Sequence, residues 1–568
     1  MQGAANGSPL IMNGTFIGPL DPIWTRRPAG ASVTTDSAVN GNVLHLDFGD
    51  PPKGNVWDIV MGQKTTQEIH KGDTVYFQAQ MRSAQGSSVG VMFEQAVKPN
   101  AKFMRNTVVL LPEWHVYRFA TTIGQDLPAG SAQLTLFFGF GRGSVDLADV
   151  HVDDLGATPI ADLHIPVDYY SGQAHGEGWK PEALARIEKI RKGDLTIKVV
   201  DAAGTPVSGA TVKVEQLKHA FHFGTAVTAE HMTGQSADDQ QYREVLKRLF
   251  NTVVFESEMK WYTSAPKDWT KVDASLDWLE KNGFYVRGHN IVWGGWHWLP
   301  AEMQKMSKAE CMEMIHQRVI DMMTRFKGKV YIWDVINEAI GQDALWNKIG
   351  YDSITQIYKW AKETNPNVQL AYNDYDLTEE ASSGHFYRNK IEDLLQNVES
   401  NGGPVEVLGM QSHIRVPLTP VYRVLQILDE LENKLHLKLE VTEYDLGVLD
   451  DTVHSDYTRD FLTAMFSHPA VQGFTMWGFW EGSQWRASEG GAIVRKDFSL
   501  RPTASVWEDL VRHQWWTDKD GQTDGSGNFK LRAFYGRYRV TAQLGGAKKT
   551  EEFELPVGTA RDITVTLK

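Results

Sequence analysis

The stretch Tyr331-Ile-Trp-Asp-Val-Ile-Asn-Glu338 is an apolar run that ends in an amide and a carboxylate. A second run, Leu437-Lys-Leu-Glu-Val-Thr-Glu443-Tyr-Asp445, has the same form and also ends in carboxylates. Continuous apolar runs of this kind are typical of parallel strands that are buried on both faces. In parallel barrels the chemically active side chains stand at the carboxyl ends of the strands. Glu338 and Glu443 are therefore the first candidates for a functional pair.

Six further apolar runs accompany these two, and amphipathic segments separate them along the chain. One such segment is residues 239–250, where apolar side chains recur at helical spacing. Eight alternating strands and helices predict a (β/α)8 TIM barrel, in which the strands form one closed parallel sheet. The predicted strands are residues 222–228, 252–261, 285–293, 331–338, 369–376, 405–414, 437–445 and 471–480.

The segments outside the barrel are rich in short strands. Residues 1–158 carry alternating runs separated by Gly, Pro and Asn clusters, which predicts a β-sandwich of the jelly-roll type. Residues 159–193 are expected to be a linker with a short helix. Residues 194–217 and 515–568 hold too few strands to bury a core alone. Because the first and last strands of a closed barrel are neighbours, we expect these two segments to form one small β-sandwich into which the barrel, residues 218–514, is inserted.

Composition and charge narrow the function classes. The 568 residues are 42% hydrophobic and 23% charged, and the net charge is −14. The negative charge argues against nucleic acid or an anionic membrane surface as a partner, and it is compatible with a neutral polymer such as a polysaccharide. The sequence has no apolar run long enough to predict a membrane-spanning helix. We expect the protein to be a monomer.

Two further features bear on where the protein works. Cys311 is the only cysteine, so no intrachain disulfide is expected, and its helical surroundings predict a small buried apolar side chain. The first residues, Met1-Gln-Gly-Ala-Ala, resemble the start of a mature chain from which a secretion signal has been removed. The protein is therefore expected to be secreted.

Several common catalytic motifs are missing from the sequence. It has no Cys/His or His-x-x-x-His set that would predict a metal site, and no Gly-x-Gly-x-x-Gly or Walker motif that would predict a nucleotide. A serine nucleophile would need a Gly-x-Ser-x-Gly turn, which is also missing. We therefore expect neither a metal nor a cofactor. Two carboxylates that face each other across a barrel mouth are instead the groups with which glycosidases protonate the leaving oxygen and attack the sugar.

The predicted strand ends carry an unusual set of polar and aromatic side chains. The motifs are Glu256-Ser-Glu-Met-Lys260-Trp261, Arg287-Gly-His289 with Trp293, Trp333-Asp-Val-Ile-Asn-Glu338, Tyr372-Asn-Asp-Tyr375, Gly409-Met-Gln411-Ser-His413, Thr442-Glu443 with Asp445, and Trp477-Gly with Trp485. On these motifs, residues 220–512 resemble glycoside hydrolase family 10, the retaining endo-β-1,4-xylanases. The flanking phrases Ser208-Gly-Ala-Thr-Val and Phe534-Tyr-Gly-Arg-Tyr538 are similar to the plant-type subgroup of that family.

The resemblance implies a role for each glutamate of the pair. Glu338 is expected to be the general acid/base, and Glu443 the nucleophile that forms a glycosyl-enzyme. The acid must hold its proton near neutral pH, which burial favours, and the nucleophile must stay ionised, which a hydrogen-bond donor favours. His413 is the expected donor, and Asp445 is expected to hold it. The resemblance also implies a carboxyl separation of about 5–5.5 Å and retention of anomeric configuration.

The resemblance implies further contacts with the substrate, a polysaccharide of the xylan type. Asn337 is expected to bond the 2-hydroxyl of the sugar at the cleavage site, where the contact strengthens in the transition state. Glu256 is expected to reach one sugar further out, and Tyr375 to stack on the leaving side. The other residues expected to line or wall the cleavage subsite are Lys260, His289, Trp293, Gln411, His413, Trp477 and Trp485.

Two places depart from the usual pattern of the family. Ser257 stands where an Asn is usual, so an amide contact with a distal xylose is expected to be lost. Gly294 and Gly295 follow Trp293 where a His is usual, which changes the floor beyond the cleavage subsite. These departures leave the chemistry intact and leave the glycan open, so that decorated or mixed-linkage xylans are also compatible with the sequence.

The N-terminal segment is similar to carbohydrate-binding modules of family 22. Trp57 is the candidate platform for a sugar ring, and a core position is an equally good interpretation of the same residue. Such modules usually carry a Glu after the Leu-Phe-Phe run, where this chain has Gly139-Phe-Gly-Arg-Gly143, so binding of another glycan or packing on the barrel is also open. The motifs that carry the resemblance are Asn13-Gly-Thr-Phe16, Trp24, residues 75–82, Trp114 and residues 150–155.

Three alternatives to a xylanase follow from the same residues. A family 10 enzyme could act on β-1,4-glucan or another β-linked glycan if the space near Trp477 and Trp485 admits a hydroxymethyl group. A catalytically silent glycan-binding protein would be expected to have lost one of the glutamates, and both are present. A structural or adhesion protein is compatible with the β modules, and the complete site argues against it.

Overall fold

The computed structural model of the chain describes residues 7–25, 31–49, 56–140, 143–163, 165, 178–262, 267–380 and 384–568. The chain forms two compact units. One unit comprises residues 1–176, 376–390 and 416–423, and the other comprises residues 177–375, 391–415 and 424–568. No helix among the described residues has the length and apolar character needed to cross a membrane.

The strands are β1 Ser8–Pro9, β2 Ala31–Asp36, β3 Gly41–Gly49, β4 Val60–Lys64, β5 Thr74–Arg82, β6 Ser88–Gln95, β7 Lys102–Val109, β8 His115–Thr122, β9 Ala132–Phe137, β10 Gly143–Asp154, β11 Lys192–Val200, β12 Thr211–His219, β13 His222–Val227, β14 Thr252–Phe255, β15 Tyr285–Trp293, β16 Ile332–Asn337, β17 Gln369–Asp374, β18 Val407–Met410, β19 His413–Arg415, β20 Lys438–Gly447, β21 Val471–Met476, β22 Asp518–Gln522, β23 Asn528–Phe534, β24 Gly536–Leu544, β25 Ala547–Leu555 and β26 Arg561–Thr566.

The helices are α1 Lys180–Ile190, α2 Ala229–Thr233, α3 Ala237–Leu249, α4 Thr270–Lys281, α5 Lys308–Arg325, α6 Ala344–Ile349, α7 Ser353–Thr364, α8 Gly384–Ser400, α9 Val421–Leu435, α10 Asp451–Ser467 and α11 Pro502–Glu508. Short 3-10 turns lie at Ile160–Leu163, Trp296–Trp298, Ala301–Gln304 and Ala487–Glu489, and a π-helical turn at Asp509–Gln514 follows α11.

The N-terminal part of the chain is the predicted β-sandwich. One sheet has the order β2-β3-β10-β5-β8, with β1 paired to β10, and the other has the order β4-β9-β6-β7. All pairings are antiparallel, as expected for strands with one face in the core. The fully buried side chains of the two sheets form one apolar core that includes Trp24, Phe77, Phe93 and Leu134.

The central part is the predicted (β/α)8 barrel. Strands β13 to β18 pair in sequence, β18 pairs with β20, and β21 closes the ring by pairing with both β20 and β13. Every neighbouring pair is parallel. All eight predicted strands are present, although the second is shorter than its motif and ends at Phe255. The carboxyl ends of these strands therefore converge on one mouth.

The two segments that flank the barrel form the predicted small β-sandwich. The segment before the barrel supplies β11 and β12, and the segment after it supplies β22 to β26. Strand β11 lies between β23 and β26 in one sheet, and β12 lies between β22 and β24 in the other. A separate apolar core, which includes Ile197, Val212, Tyr538 and Val540, is buried between the two sheets.

Candidate active site

Glu338 follows β16 directly and projects from the barrel mouth with a left-handed backbone, φ 52°. Its side chain is buried. Gln411 donates to Oε1 at 2.8 Å, and the indole N–H of Trp293 donates to Oε2 at 3.1 Å. Burial raises the pKa of Glu338 to about 7, and the nearby charge of Glu443 adds to the increase, although the two hydrogen bonds oppose it. Glu338 is therefore a carboxyl group that keeps its proton close to neutral pH.

Glu443 lies within β20 and is equally buried, but its pKa moves in the opposite direction. Asn373 donates to Oε1 at 2.7 Å, and His413 donates from Nε2 to Oε2 at 3.2 Å. Burial alone would raise the pKa of Glu443, but the hydrogen bond from His413 and the nearby positive charges hold it below the usual value. At pH values between the two pKa values, Glu443 is therefore ionised while Glu338 is still protonated.

His413 and Asp445 form the support that keeps Glu443 ionised. His413 donates from Nδ1 to Asp445 Oδ2 at 3.0 Å, and the two carboxylates raise the pKa of His413 to about 10 against the effect of burial. Asp445 is fully buried and is itself held by the guanidinium of Arg486 and by the indole N–H of Trp485, which donates at 2.7 Å. Because His413 is a cation at neutral pH, it can donate to both carboxylates at once.

Asn373 connects Asn337 to Glu443 and was not among the predicted site residues. Its amide nitrogen donates to Asn337 Oδ1 at 2.8 Å as well as to Glu443, and its oxygen accepts from Thr442 at 2.6 Å. All four side chains are buried, so the network fixes which way each amide points. The signal for Asn373 was its position at the end of β17, beside the predicted Tyr375.

His289 is held in place by the buried ion pair between Asp334 and Arg287. Its Nδ1 donates to Asp334 at 2.9 Å, and Asp334 also forms an ion pair with Arg287. Burial alone would raise the pKa of Asp334, but Arg287 and His289 together lower it. Arg287 Nη1 also forms an ion pair with Glu440 Oε2 at 3.2 Å. The ring of His289 is thereby fixed against the edge of Trp477, 5.2 Å between centroids.

Lys260 is a buried cation surrounded by indole rings. Its Nζ lies 5.0 Å from the ring centroid of Trp293, 5.5 Å from that of Trp477 and 5.6 Å from that of Trp298. Burial lowers the pKa of Lys260, while Glu443 and Glu256 counteract the shift. Burial raises the pKa of Glu256, which is half-buried at the end of β14.

Trp298 is a further member of the site that was not predicted. Its ring stacks on that of Trp293 at 3.7 Å between centroids and 4° between planes. The preceding glycines make this possible, because a Cβ on Gly294 would lie 2.4 Å from the carbonyl oxygen of Gln342. A Cβ on Gly295 would lie 2.2 Å from the side chain of the same glutamine. The backbone carbonyl of Gln342 therefore leaves no room for a side chain at position 294, whereas at position 295 the nearest atom belongs to a side chain that can move.

The remaining predicted residues lie around the same mouth. Tyr375 is half-buried and follows β17, and its backbone N–H donates to Asp374 at 2.9 Å. Trp477 is buried at the end of β21, whereas Trp485 is 54% exposed and sets its ring against the edge of His413. Ser257 is exposed in the loop after β14. The structure brings every predicted residue of the barrel to one mouth, while Trp57 is an exposed residue of the N-terminal sandwich.

Within the described part of the chain, one group of side chains has ligand atoms close enough for a metal ion. Asp429, Glu432 and His468 place their atoms within 4.8 Å of one another. However, the backbone N–H of Ala470 donates to Nδ1 of His468, which assigns the proton of a neutral ring to Nε2. Nε2 in turn donates to Asp429 at 3.1 Å, so an ordinary hydrogen bond accounts for the group.

The geometry as a whole provides one protonated and one ionised carboxyl group at the same mouth. Pairs of titratable groups whose surroundings move their pKa values apart mark the acid and the base or nucleophile of a reaction. The surrounding indoles and amides supply flat apolar faces and a few fixed hydrogen-bonding groups, which is the make-up of a small-molecule or sugar site. The mouth is therefore equipped for acid-assisted displacement at a sugar carbon.

Known proteins share this region. A family model described as glycosyl hydrolase family 10 matches residues 213–506. The anti-sigma-I factor RsgI6 of Acetivibrio thermocellus is 33% identical over 380 residues, which cover 66% of this chain and 48% of that protein. Endo-1,4-beta-xylanase 1 of Arabidopsis thaliana is 28% identical over 370 residues, which cover 63% of this chain and 38% of that protein. The chain thus spans less than half the length of either relative.

Solved structures match about half of the chain. The crystal structure of native xylanase 10B from Thermotoga maritima is 23% identical with a TM-score of 0.46, and the match covers 52% of this chain and 96% of that one. The family match spans just over half of the chain and includes both glutamates and every predicted residue of the barrel mouth. The chain belongs to glycosyl hydrolase family 10.

Proposed function

We propose that the protein is a retaining endo-β-1,4-xylanase that hydrolyses xylosidic bonds within xylan. The observation that carries the proposal is the opposite shift of two neighbouring carboxyl groups. The pKa of Glu338 is raised to about 7, whereas that of Glu443 is lowered. A retaining glycosidase needs this division, because one carboxyl must donate a proton while the other attacks as an anion.

The reaction would proceed in two displacements. In the first, a Glu443 oxygen forms a bond to the anomeric carbon while the bond to the leaving oxygen breaks and that oxygen takes the proton of Glu338. In the second, ionised Glu338 removes a proton from water, and the resulting oxygen displaces Glu443 from the same carbon. Two inversions give net retention, and the predicted carboxyl separation of about 5–5.5 Å suits a direct attack.

The side chains around the pair have proposed roles in binding. Asn337 would bond the 2-hydroxyl of the attacked sugar, and the hydrogen bond from Asn373 supports this by fixing its amide. Glu256 would reach the next sugar, and Tyr375 would stack on the leaving side. The residues proposed to enclose the attacked sugar are Lys260, His289, Trp293, Gln411, His413, Trp477 and Trp485.

Xylan as the substrate rests on the relatives. Endo-1,4-beta-xylanase 1 of Arabidopsis thaliana is one of several relatives named as xylanases. The relative named as an anti-sigma-I factor shows that similar chains also occur in proteins with a regulatory name. The presence of Glu338, Glu443 and their hydrogen-bonding partners favours an enzyme over a silent binder for this chain.

Product profiling tests the substrate. The protein would be incubated with linear xylan, glucuronoxylan, arabinoxylan and a soluble β-glucan, and the products separated by chromatography. Short xylo-oligosaccharides from the xylans, with little product from β-glucan, are expected. Products from β-glucan alone would show that the substrate is another β-linked glycan. No product from any polymer would favour a silent glycan-binding protein.

Two variants test the assignment of the carboxyls. Glu338→Gln should abolish hydrolysis of unactivated xylan and spare more activity on an aryl xyloside with a good leaving group, since such a group needs no proton. Glu443→Ala should abolish turnover of both, and added azide should restore cleavage with an inverted glycosyl azide as product. Rescue of Glu443→Ala with retained configuration would contradict the nucleophile assignment.

We also propose that the N-terminal sandwich binds a glycan through Trp57. The support is the exposure of its side chain, 57%, since a flat indole open to solvent offers a stacking surface for a sugar ring. Affinity electrophoresis in xylan or β-glucan gels would compare the full chain with Trp57→Ala and with Val97→Ala, which removes another exposed apolar side chain. We expect the polysaccharide to slow the migration of the wild-type protein and of Val97→Ala more than that of Trp57→Ala. Equal migration of all three proteins would refute glycan binding at Trp57.

The remaining predictions concern the protein as a whole. We expect a secreted monomer whose partner is a polysaccharide. The boundaries at residues 158, 193, 217 and 514 stay predictions, as does the similarity of the N-terminal sandwich to family 22 modules.

A further inference from the structure

Tyr262 is an exposed tyrosine at the barrel mouth that has no part in the reaction described above. Its side chain is 40% exposed. Its hydroxyl interacts with the side chain of Ser257, its ring lies 5.7 Å from the ring of Trp298, and Lys267 Nζ lies 5.6 Å from its ring centroid. A large aromatic ring is thus held by three partners while part of its surface stays open to solvent.

The backbone just before Tyr262, at residues 257–260, is held in place by hydrogen bonds. Lys267 Nζ donates to the backbone carbonyls of Glu258, at 3.0 Å, and of Lys260. The backbone N–H of Lys260 donates to the carbonyl of Ser257 at 3.1 Å, which closes the turn. A platform whose orientation is set before the ligand arrives loses little conformational entropy on binding.

Tyr262 is the outer member of a row of three aromatic rings in contact that begins beside the general acid. Trp293 donates its indole N–H to Glu338, Trp298 stacks on Trp293, and Tyr262 leans on Trp298 at 48° between planes. The three rings therefore lead from the point of proton transfer towards solvent. The exposed ring of Tyr262 suits a sugar unit, because the face of a sugar ring is apolar while its edges carry hydroxyl groups.

Lys260 connects these rings with Glu443, the proposed nucleophile. Lys260 stands over Trp293 and Trp298, and its strongest interaction with a carboxylate is with Glu443. The nucleophile bonds to the anomeric carbon of the glycone, so the groups gathered around Glu443 face the non-reducing part of the chain. Tyr262 interacts with Ser257, the sequence neighbour of Glu256, and we therefore assign it to the same part.

We propose that Tyr262 is a stacking platform for a sugar unit of the glycone beyond the unit that contacts Glu256. The serine at position 257 belongs to this arrangement, because its small side chain leaves room for the hydroxyl of Tyr262. The ligand is one ring of a β-linked chain, recognised by its apolar face. Tyr262 is thus a determinant of chain length and of cleavage position, and the inference rests on the proposed hydrolysis of xylan.

The decisive experiment compares the wild-type protein with Tyr262→Ala on xylotriose, xylotetraose, xylopentaose and xylohexaose. In the wild-type protein kcat/KM should increase from xylotriose to xylohexaose. In Tyr262→Ala this increase should be about tenfold smaller, which corresponds to the loss of one aromatic contact of about 1.4 kcal/mol. With xylopentaose labelled by ¹⁸O at its reducing end, mass spectrometry of the products gives the position of cleavage. Without the platform, cleavage should shift towards the non-reducing end.

Control variants separate stacking from other effects. Tyr262→Phe keeps the ring and should keep the wild-type cleavage pattern, while Tyr262→Leu keeps an apolar side chain without a flat face and should behave as Tyr262→Ala does. Trp278→Ala removes a half-buried aromatic ring on α4 that packs on Phe284, and it should leave the pattern unchanged.

The outcomes distinguish this proposal from the proposed function. If the wild-type protein leaves every xylo-oligosaccharide intact, the assignment as a xylanase fails. If the wild-type protein cleaves them and both Tyr262→Ala and Tyr262→Leu give the wild-type pattern, the platform at Tyr262 is refuted and the xylanase stands. A shift of cleavage towards the reducing end would place Tyr262 on the leaving side and would also overturn the proposal.

Discussion

At the scale of single residues, the hydrogen bonds to Glu338 set the pH at which the proposed acid loses its proton. Burial raises its pKa to about 7, and the donors Gln411 and Trp293 limit the increase because they stabilise the ionised form. Glu443 responds in the opposite direction because its donor, His413, carries a positive charge. The activity should therefore follow a bell-shaped dependence on pH, with its alkaline limb close to pH 7.

Replacing the indole donor should move that alkaline limb. Trp293→Phe removes the N–H that lies 3.1 Å from Glu338 and keeps an aromatic ring. The ionised carboxylate loses a partner, so the pKa of Glu338 should rise and the proton should persist to higher pH. The measurement is kcat/KM on xylohexaose against pH, and the limb should shift upward. Trp477→Phe changes a ring packed on His289 and should lower the rate without this shift; an unmoved limb in Trp293→Phe would contradict the argument.

The same pKa shift has a consequence for stability. The pKa of Glu338 in the folded protein lies above its ordinary value of 4.5. Its contribution to the free energy of unfolding is therefore fully present at low pH and is lost as the pH rises through about 7. Above that pH the ionised side chain costs roughly 3 kcal/mol. Glu338→Gln should therefore unfold at higher denaturant concentration than the wild-type protein at pH 8, with a smaller difference at pH 5.

Glu443→Gln is the matched control for the stability prediction. Its folded-state pKa is lowered, so its contribution is present at neutral pH and is lost as the pH falls through the lowered value. Removing the charge should leave the His413 cation with one carboxylate fewer and should destabilise the protein at pH 8. If both variants changed the unfolding midpoint in the same direction at pH 8, the opposite pKa shifts would be wrong.

The residue motifs located the glutamates and their main partners but could not reveal how the partners are connected. His413 between Glu443 and Asp445 was expected, because an ionised nucleophile is favoured by a hydrogen-bond donor. Asn373 and Trp298 were not, since an amide that bridges two side chains and a ring that stacks on Trp293 depend on distances between separate loops. The pairing of His289 with Asp334 likewise follows from the register of β15 and β16, which apolar runs do not specify.

At the scale of elements, the turn after β15 depends on Gly294. A methyl group at position 294 would lie 2.4 Å from the Gln342 carbonyl oxygen and 2.5 Å from the Trp346 indole nitrogen. Gly294→Ala should therefore displace the turn, at a cost of about 1–3 kcal/mol. We expect a lower unfolding temperature and a reduced kcat/KM, because the turn carries Trp298 and follows Trp293.

Gly525→Ala is the control for Gly294→Ala, since a methyl group at position 525 meets no atom within 4 Å. It should change the unfolding temperature little and leave kcat/KM as in the wild-type protein. If Gly294→Ala matched this control in both measurements, the close approach of the turn to Gln342 would not be a real constraint on the sequence.

Strand existence was predictable from the apolar runs, but strand ends were not. The second predicted strand extended to residue 261, whereas β14 ends at Phe255 because Glu256 begins a turn. The sixth is interrupted at Ser412, whose left-handed φ of 62° separates β18 from β19 and directs His413 towards Glu443. Side chains that face a site can continue an apolar pattern after the backbone has left the sheet, so the pattern alone overestimates strand length.

At the scale of the whole chain, the barrel segment interrupts the small sandwich. The sequence predicted that the two flanking segments share one core, because the first and last strands of a closed barrel must be neighbours. The pairing itself was not predictable: β11 lies antiparallel to β23 and parallel to β26. The last strand of the chain thus lies beside the first strand of the sandwich, and stability in this part depends on residues far apart in sequence.

Arg191, between α1 and β11, offers a test of how the sandwich segment is tied to the barrel. Its guanidinium donates to the carbonyl oxygens of Phe466, His468 and Val471, each at 2.7 Å, and lies 4.8 Å from the ring centroid of Phe221. The first two carbonyls belong to the end of α10, where a cation also interacts favourably with the helix dipole. One side chain therefore satisfies three backbone groups at the amino-terminal side of β21.

Arg191→Met should lower the unfolding midpoint, because it removes the guanidinium donor from these carbonyls. The His468 carbonyl keeps the backbone N–H of Val471 at 3.2 Å, and each carbonyl that is left without a donor costs about 1–3 kcal/mol. Arg191→Lys should recover only part of the loss, since an ammonium cannot reproduce the planar fork of donors. Lys189→Met, an exposed change on the same helix, should have little effect. Differential scanning calorimetry measures the midpoints, and kcat at 25 °C checks the mouth, which lies at the other end of the strands and should be unaffected. A fall in kcat with an unchanged midpoint would show that Arg191 acts on the site rather than on the attachment of the sandwich segment.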